Sequence, residues 1–407
     1  MRPGIELVQI LAPRLVAAVV ILAIVASACS SAATPSTTPQ GDSVAGVASS
    51  TTSSEAISTT VTTLVPTSTS TTDLGVSSNR YTLGAFPDYP EGPLPASVAT
   101  ALQSLLDTAV ETGSVRGVTA AVIVAEKGTW TGTAGTWDGV AITPESRHPT
   151  HSSAKTMVAA EMLRLVEDGR VGLDDLATDH LPRELAFFDA NGATIREVLG
   201  MRSGLPSLDD VDAYYVAELA PTPLALFTAL PAPVAPPGSV TRYSGTNYVL
   251  LGSIIEHITG RPLAEVLHGD VLAHPGLDGI VHTVPDAMAS DGWGVETTSA
   301  ALARWGYDLF GGSVISTTSL HAMTDFNGEW YGFGVMNYPL ASGGVFTGSA
   351  VGHQGLSSVT TCCSAVALVA LPDQGIVIAV QADTTPAYDT ANPRVDRLAR
   401  TLAEAFR

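Results

Sequence analysis

The sequence predicts an α+β fold: an antiparallel β-sheet flanked by terminal helices, with an inserted all-helical subdomain. Three observations carry that expectation. Strand-like apolar runs occur both near residue 120 and beyond residue 350, amphipathic helices lie outside them at each end, and the long stretch between is mostly helical in pattern. The 407 residues are 45% hydrophobic, enough for a sizeable core.

The first element is "ASVATALQSLLDTAVETG", where Val98, Leu102, Leu105 and Leu106 fall at helical spacing before a closing glycine. "GVTAAVIVAEKGTWTGTAG" then reads as two strands turning at Lys127-Gly128. After the helical middle, "SAVALVALPDQGIVIAVQAD" reads as a hairpin turning at Pro372 to Gly375. The closing segment "RVDRLARTLAEAFR" places Val395, Leu398, Leu402 and Phe406 on one helix face. No internal repeat is present.

The N-terminal region has a different character. Arg2 and Arg14 precede twelve apolar residues, Leu15 to Ala26, too short to cross a bilayer but suited to the core of a signal peptide over residues 1–28. Ala26 and Ala28 form a small-residue cleavage site, and Cys29 resembles the acceptor cysteine of bacterial lipoproteins; both readings cut before Cys29. Residues 30–78 are more than half Ser and Thr and have almost no large apolar groups, so residues 29–82 are expected to be a lipid-anchored, disordered tether. The folded domain is expected over 83–407, exported and held on the outer side of the cytoplasmic membrane.

Charge excludes other partners. A formal charge of -20 with no basic run disfavours nucleic acid and leaves the lipid at Cys29 as the membrane contact. Cys362 and Cys363 are adjacent and read as buried thiols, since one neighbouring pair draws no disulfide framework. The nine histidines form no H-E-x-x-H or Cys/His ligand pattern, and His148 and His151 lack a third ligand, so no metal is expected. There is no G-x-S-x-G elbow, phosphate loop or dinucleotide fingerprint, so no cofactor is expected either.

Only two lysines occur, and one of them is Lys155 in "THSSAKTM". Ser152 and Lys155 are spaced i, i+3 and can meet on one helix face. Val158, Met162 and Leu165 continue the stripe, which puts the pair on the first turn of a buried helix. There the helix dipole favours negative charge on the serine oxygen. The same field and burial are expected to lower the lysine pKa, making Lys155 a base for Ser152.

Six blocks together resemble the serine β-lactamase and penicillin-binding protein family, in the branch of class C β-lactamases, D-alanyl-D-alanine carboxypeptidases and related esterases. In order they are "VRGVTAAVIVAEKG", "SSAKTMVAAEMLRLVEDGRVGLDDLATDHLP", "ATIREVLGMRSGLP", "PPGSVTRYSGTNYVLLGSIIEHITGRPL", "TTSAALARWGYDLFGG" and "VGHQG", within residues 96–407. The resemblance implies that Ser152 forms an acyl-enzyme and that Tyr243 relays a proton to the leaving group. It implies that His353-Gln354-Gly355 stands for the Lys-Thr-Gly strand, with Gly355 letting substrate lie along the edge. The amides of Ser152 and Leu356 would then form the oxyanion hole.

The expected activity is hydrolysis of D-alanyl peptides, β-lactams or esters in the cell envelope; a catalytically weak relative that binds peptidoglycan peptides or a partner is the alternative. Departures from the family pattern bear on that choice. Gly245 stands where Tyr-x-Asn has its asparagine, and Asn247 is expected to point elsewhere. Weak β-lactam turnover, improved by Gly245→Asn, is the corresponding expectation. Ser152, Lys155, Tyr243 and His353 are expected to converge on one cleft between the sheet and the helical subdomain.

Overall fold

The central strands are apolar on both faces, and that property sets the layering. The computed structural model describes residues 83–406 apart from 208–221, 357–363 and 385–387. The expectations for the signal peptide, Cys29, the tether, Cys362 and Cys363 fall outside the described residues.

Helix α1 (Ala96–Glu111) leads into β1 (Gly117–Val124), β2 (Gly128–Trp137), β3 (Val140–Ala141) and β4 (His148–Pro149). A 3₁₀ turn, His151–Ala154, then runs into α2 (Lys155–Glu167). The middle contains α3 (Ile195–Leu199), α4 (Pro223–Ala229), α5 (Gly245–Thr259) and α6 (Leu263–Gly269), followed by β5 (Val281–His282), the 3₁₀ turn Ala287–Asp291 and β6 (Val295–Thr297). Next come α7 (Ser299–Gly311), α8 (Thr317–Met323), β7 (Met336–Asn337) and α9 (Tyr338–Ala341). The chain closes with β8 (Val351–Leu356), β9 (Ser364–Leu371), β10 (Ile376–Asp383) and α10 (Tyr388–Glu404).

The main sheet has the order β3-β2-β1-β10-β9-β8-β7, with every neighbouring pair antiparallel. Every residue of β1, β9 and β10 is buried. Such strands need cover on both faces. Helices α1 and α10 pack on the sheet and on each other, and α7 packs separately on β1, β9 and β10. Gly306 allows the close approach of α7: a Cβ there would lie 2.8 Å from Leu368 and 3.0 Å from Val377.

The inserted region is not all-helical. It carries a small sheet of order β4-β6-β5, formed by strands two or three residues long. This sheet anchors the chain just before the nucleophile turn. His148 pairs with Thr297, and Thr150 donates from its backbone N–H (2.9 Å) and from Oγ1 (3.1 Å) to the Val295 carbonyl. Gln381 on β10 donates to the His148 carbonyl at 2.9 Å, so both sheets hold this segment.

The "ATIREVLGMRSGLP" and "RYSGTNY" blocks fold as one unit. Thr194 and Glu197 form a reciprocal capping box that starts α3. The loop after α3 then grips the start of α5. Arg242 donates its backbone N–H to the Met201 carbonyl at 2.8 Å, Ser244 Oγ donates to Pro206 at 2.9 Å, and Tyr248 Oη donates to Leu199 at 3.1 Å. Asn247 is consumed here, accepting from Ser203 Oγ and donating to Ser244. This unit fixes the loop that carries Tyr243.

Candidate active site

The nucleophile turn is held in an uncommon backbone conformation. His151, immediately before Ser152, has φ +46°, a left-handed value that non-glycine residues seldom adopt. Its ring is tied down through Nε2 to Ser364 Oγ at 2.7 Å, and burial lowers its pKa to about 4. On one side, the Gly292 backbone approaches so closely that a Cβ there would meet the His151 carbonyl at 1.9 Å. On the other side is β8, where a Cβ on Gly355 would lie 2.6 Å from the Thr150 carbonyl and 3.2 Å from Ser152 N.

Gly355 therefore makes room for the protein's own nucleophile turn, besides any role along a substrate edge. The Ser152 amide lies beside Gly355, one residue from the Leu356 amide that ends β8. That juxtaposition brings the two expected oxyanion donors to one place.

Lys155 Nζ donates to Ser152 Oγ at 3.0 Å, from a side chain that is 0% exposed. It also donates to the backbone carbonyl of Asp291 at 3.1 Å and to the Asp291 carboxylate. Burial by itself would depress the lysine pKa, but it is outweighed, chiefly by the Asp291 charge and then by Tyr243, and the pKa stands above the ordinary lysine value. This corrects the expectation of a lowered pKa. Burial acts in the expected direction, but an unforeseen counter-ion reverses the net effect.

Tyr243 lies over the lysine, its ring centroid 5.2 Å from Nζ. Its buried hydroxyl makes no hydrogen bond of good geometry among the described residues. Burial raises the phenol pKa, while the neighbouring Lys155 charge and the proximity of Ser152 pull against it. The ring is surrounded by Trp330, Tyr331 and His353, at centroid distances of 6.2, 5.8 and 6.3 Å.

His353 is 0% exposed. Its Nδ1 faces the Gln354 carbonyl, an acceptor only, so Nδ1 carries the proton and Nε2 accepts from Tyr331 Oη at 3.1 Å. Burial, with Lys155 adding to it, lowers the imidazole pKa to about 3. The expectation of a histidine opening into the cleft is corrected: His353 is neutral and props the aromatic layer beneath Tyr243.

The four expected residues thus meet where β8 faces the start of α2 and the loop before α5. Sequence reasoning missed Asp291 and Tyr331. Asp291 stands in "ASDGWG", where Asp-Gly reads as a turn and conceals a side-chain role.

Gly245 is also reinterpreted. A Cβ at that position would lie 2.5 Å from Asp291 Oδ1, 2.8 Å from Cγ and 2.9 Å from Oδ2. The space is not vacant, because Asp291 occupies it. Gly252, two turns along α5, admits the same 3₁₀ segment: a Cβ there would meet Ser290 Oγ at 1.9 Å. The expected benefit of Gly245→Asn is therefore withdrawn on steric grounds.

A serine and a lysine joined by a hydrogen bond at the start of a helix, between an antiparallel sheet and a mainly helical region, define the β-lactamase and transpeptidase class of fold and site. The family model described as Beta-lactamase matches residues 102–401, well over half of the chain, and the chain belongs to that family. Penicillin-binding protein 4 of Amycolatopsis lactamdurans is 32% identical over 145 residues, covering 34% of this chain and 37% of that protein. The chain thus spans well under half the length of the curated relatives it matches.

Among solved structures, a D-amino acid amidase from Ochrobactrum anthropi SV3 superposes with a TM-score of 0.58 at 20% identity, over 76% of this chain and 99% of that one. A D-stereospecific amidohydrolase from Streptomyces sp. gives 0.56 at 24% identity, over 74% and 98%. These two show a shared fold.

Proposed function

We propose that this protein hydrolyses amide or ester bonds of small acyl donors, of the D-amino-acyl amide, D-alanyl peptide, β-lactam or simple ester type, through an acyl-enzyme on Ser152. The observation that carries the proposal is the 3.0 Å hydrogen bond between Ser152 and a fully buried Lys155, whose nitrogen lies 5.2 Å from the Tyr243 ring centroid. The names of the amidase and amidohydrolase relatives support the amide side of the reading.

In the resting site Lys155 is an ammonium held by Asp291, and its neutral minority form is the working base. As Ser152 Oγ attacks the acyl carbon, its proton passes to neutral Lys155, and the Ser152 and Leu356 N–H groups donate to the developing oxyanion. The Tyr243 hydroxyl protonates the leaving atom and is reprotonated from Lys155. Water then attacks the acyl-enzyme along the reverse proton path, restoring Ser152. The weak-relative alternative depended on Gly245 as a gap in this machinery, and the presence of Asp291 in that space favours the hydrolase.

Incubation with a fluorescent penicillin or a fluorophosphonate should add one adduct mass at Ser152, and Ser152→Ala should reduce p-nitrophenyl acetate hydrolysis to background. An adduct-free protein with no esterase activity would refute the proposal. Export and anchoring through Cys29 are proposed on the apolar run ahead of it. Cys29→Ala should release the protein from membranes or leave it uncleaved, and unmodified Cys29 in soluble wild-type protein would count against this.

A further inference from the structure

Asp291 has an acceptor to spare. Lys155 engages Oδ1, whereas Oδ2 accepts no hydrogen bond among the described residues, and the side chain is 27% exposed beside a lysine that is 0% exposed. One carboxylate oxygen is thus committed to the lysine, while the side chain as a whole keeps partial contact with solvent. It is also close to the reaction, because the same Lys155 nitrogen bonds Ser152 Oγ and Asp291. Gly245 and Gly252 are the features that let the 3₁₀ segment bring it there.

An ionised carboxylate only accepts hydrogen bonds. A carbonyl oxygen or an anion on the acyl group would face it acceptor to acceptor, whereas an ammonium would form a charge-assisted hydrogen bond. In an amino-acyl donor the α-nitrogen is two bonds from the carbon that Ser152 attacks, so such a group falls within reach of Asp291. We propose that Asp291 is a specificity-determining residue that binds a protonated amine on the acyl part of the substrate, so that donors with a free α-amino group are taken in preference to N-acylated ones. The inference rests on the hydrolase reading above and specifies its substrate class.

A counter-ion that served Lys155 alone would influence all substrates alike, so the decisive quantity is a ratio. kcat/KM is measured for D-alanine p-nitroanilide and N-acetyl-D-alanine p-nitroanilide, in wild type and in the isosteric Asp291→Asn. At pH 6.5 the free amine should be favoured about tenfold or more, in keeping with a charge-assisted contact. The preference should shrink as pH passes about 8, where an α-amino group loses its proton, and should fall to within about twofold in Asp291→Asn.

A second measurement needs neither turnover nor a variant: D-alaninamide should protect Ser152 from a fluorophosphonate in wild type, and N-acetyl-D-alaninamide should not. Equal use of the two anilides, equal protection by the two amides, or a ratio unchanged in Asp291→Asn would overturn the assignment and leave the Ser152 chemistry standing. A Ser152 that no fluorophosphonate ever labels would bring down the hydrolase reading, and this inference with it.

Discussion

At the scale of single residues, the chemistry depends on how many charges share one buried pocket. Lys155 is faced by Asp291, Tyr243 and Tyr248, with His151 and His353 neutral nearby; of these, the Asp291 charge is the chief influence holding its pKa up against burial. On a neutral ester, activity should therefore rise toward alkaline pH as the lysine deprotonates. Asp291→Asn removes the raising charge and leaves burial, so that limb should move to lower pH; a kcat/KM profile that stays put or moves up would contradict this account. Gly245→Asn should cost at least about tenfold in kcat/KM by displacing Asp291, and Gly245→Asn with Asp291→Gly should recover most of it. A double-mutant cycle reads that coupling directly, and additive losses would mean the two positions do not share the space. Ser152 and Lys155 could be paired from sequence because their contact is local. Asp291 could not, because it lies 136 residues from the lysine it holds.

The elements show what periodicity can and cannot reveal. Helix α1, the β1-β2 hairpin, the β9-β10 hairpin and α10 were legible because each repeats its apolar pattern long enough to bury a face. The strands β4, β5 and β6 are two or three residues long and carry no period, so the small sheet that anchors the nucleophile turn was read as part of a helical region. The close approach of β8 to that turn was likewise visible only in three dimensions, although Gly355 marked its place. Gly355→Ala should wedge β8 away from Ser152. Overpacking of this kind costs about 1–3 kcal/mol in stability, and a displacement near 1 Å at the oxyanion donors can cost on the order of a hundredfold in rate. Thermal melts and ester kinetics separate the two effects, and a variant with wild-type kcat would show that the strand tolerates the extra carbon. Tyr331→Phe should remove the donor to His353 Nε2, leaving a buried acceptor unpaired at about 1–3 kcal/mol. Restored stability in Tyr331→Phe/His353→Leu, measured by denaturant unfolding, would identify that bond as the cause.

Over the whole molecule, buried titratable groups of two kinds set the pH at which the fold is most stable. Burial lowers His148, His151 and His282 to about 4 and His353 to about 3, whereas in an unfolded chain histidine titrates near 6.5. Burial raises Glu161 on α2 and Asp396 on α10 to about 7, despite Arg164 beside the first and Gln354 beside the second. Between about pH 4.5 and 6.5 the unfolded chain binds protons at four histidines that the native state leaves neutral, while the native state retains protons on two carboxyls that the unfolded chain has lost. Over these six most strongly shifted groups the balance is a net uptake of about two protons on unfolding, so their contribution to stability should climb with pH through this window. Above about pH 6.5 the histidine contribution is exhausted, and the two carboxyls, forced to ionise in place as pH approaches 7, turn the curve downward. The melting temperature should therefore rise from pH 4.5 to a maximum near pH 6.5 and decline shallowly by pH 8. Glu161→Gln and Asp396→Asn together should remove the alkaline decline, and His282→Gln should lessen the acid slope. A melting temperature that instead increases steadily from pH 7 down to pH 5 would mean that the carboxyls outweigh the histidines and that the buried imidazoles do not control the acid limit of this fold.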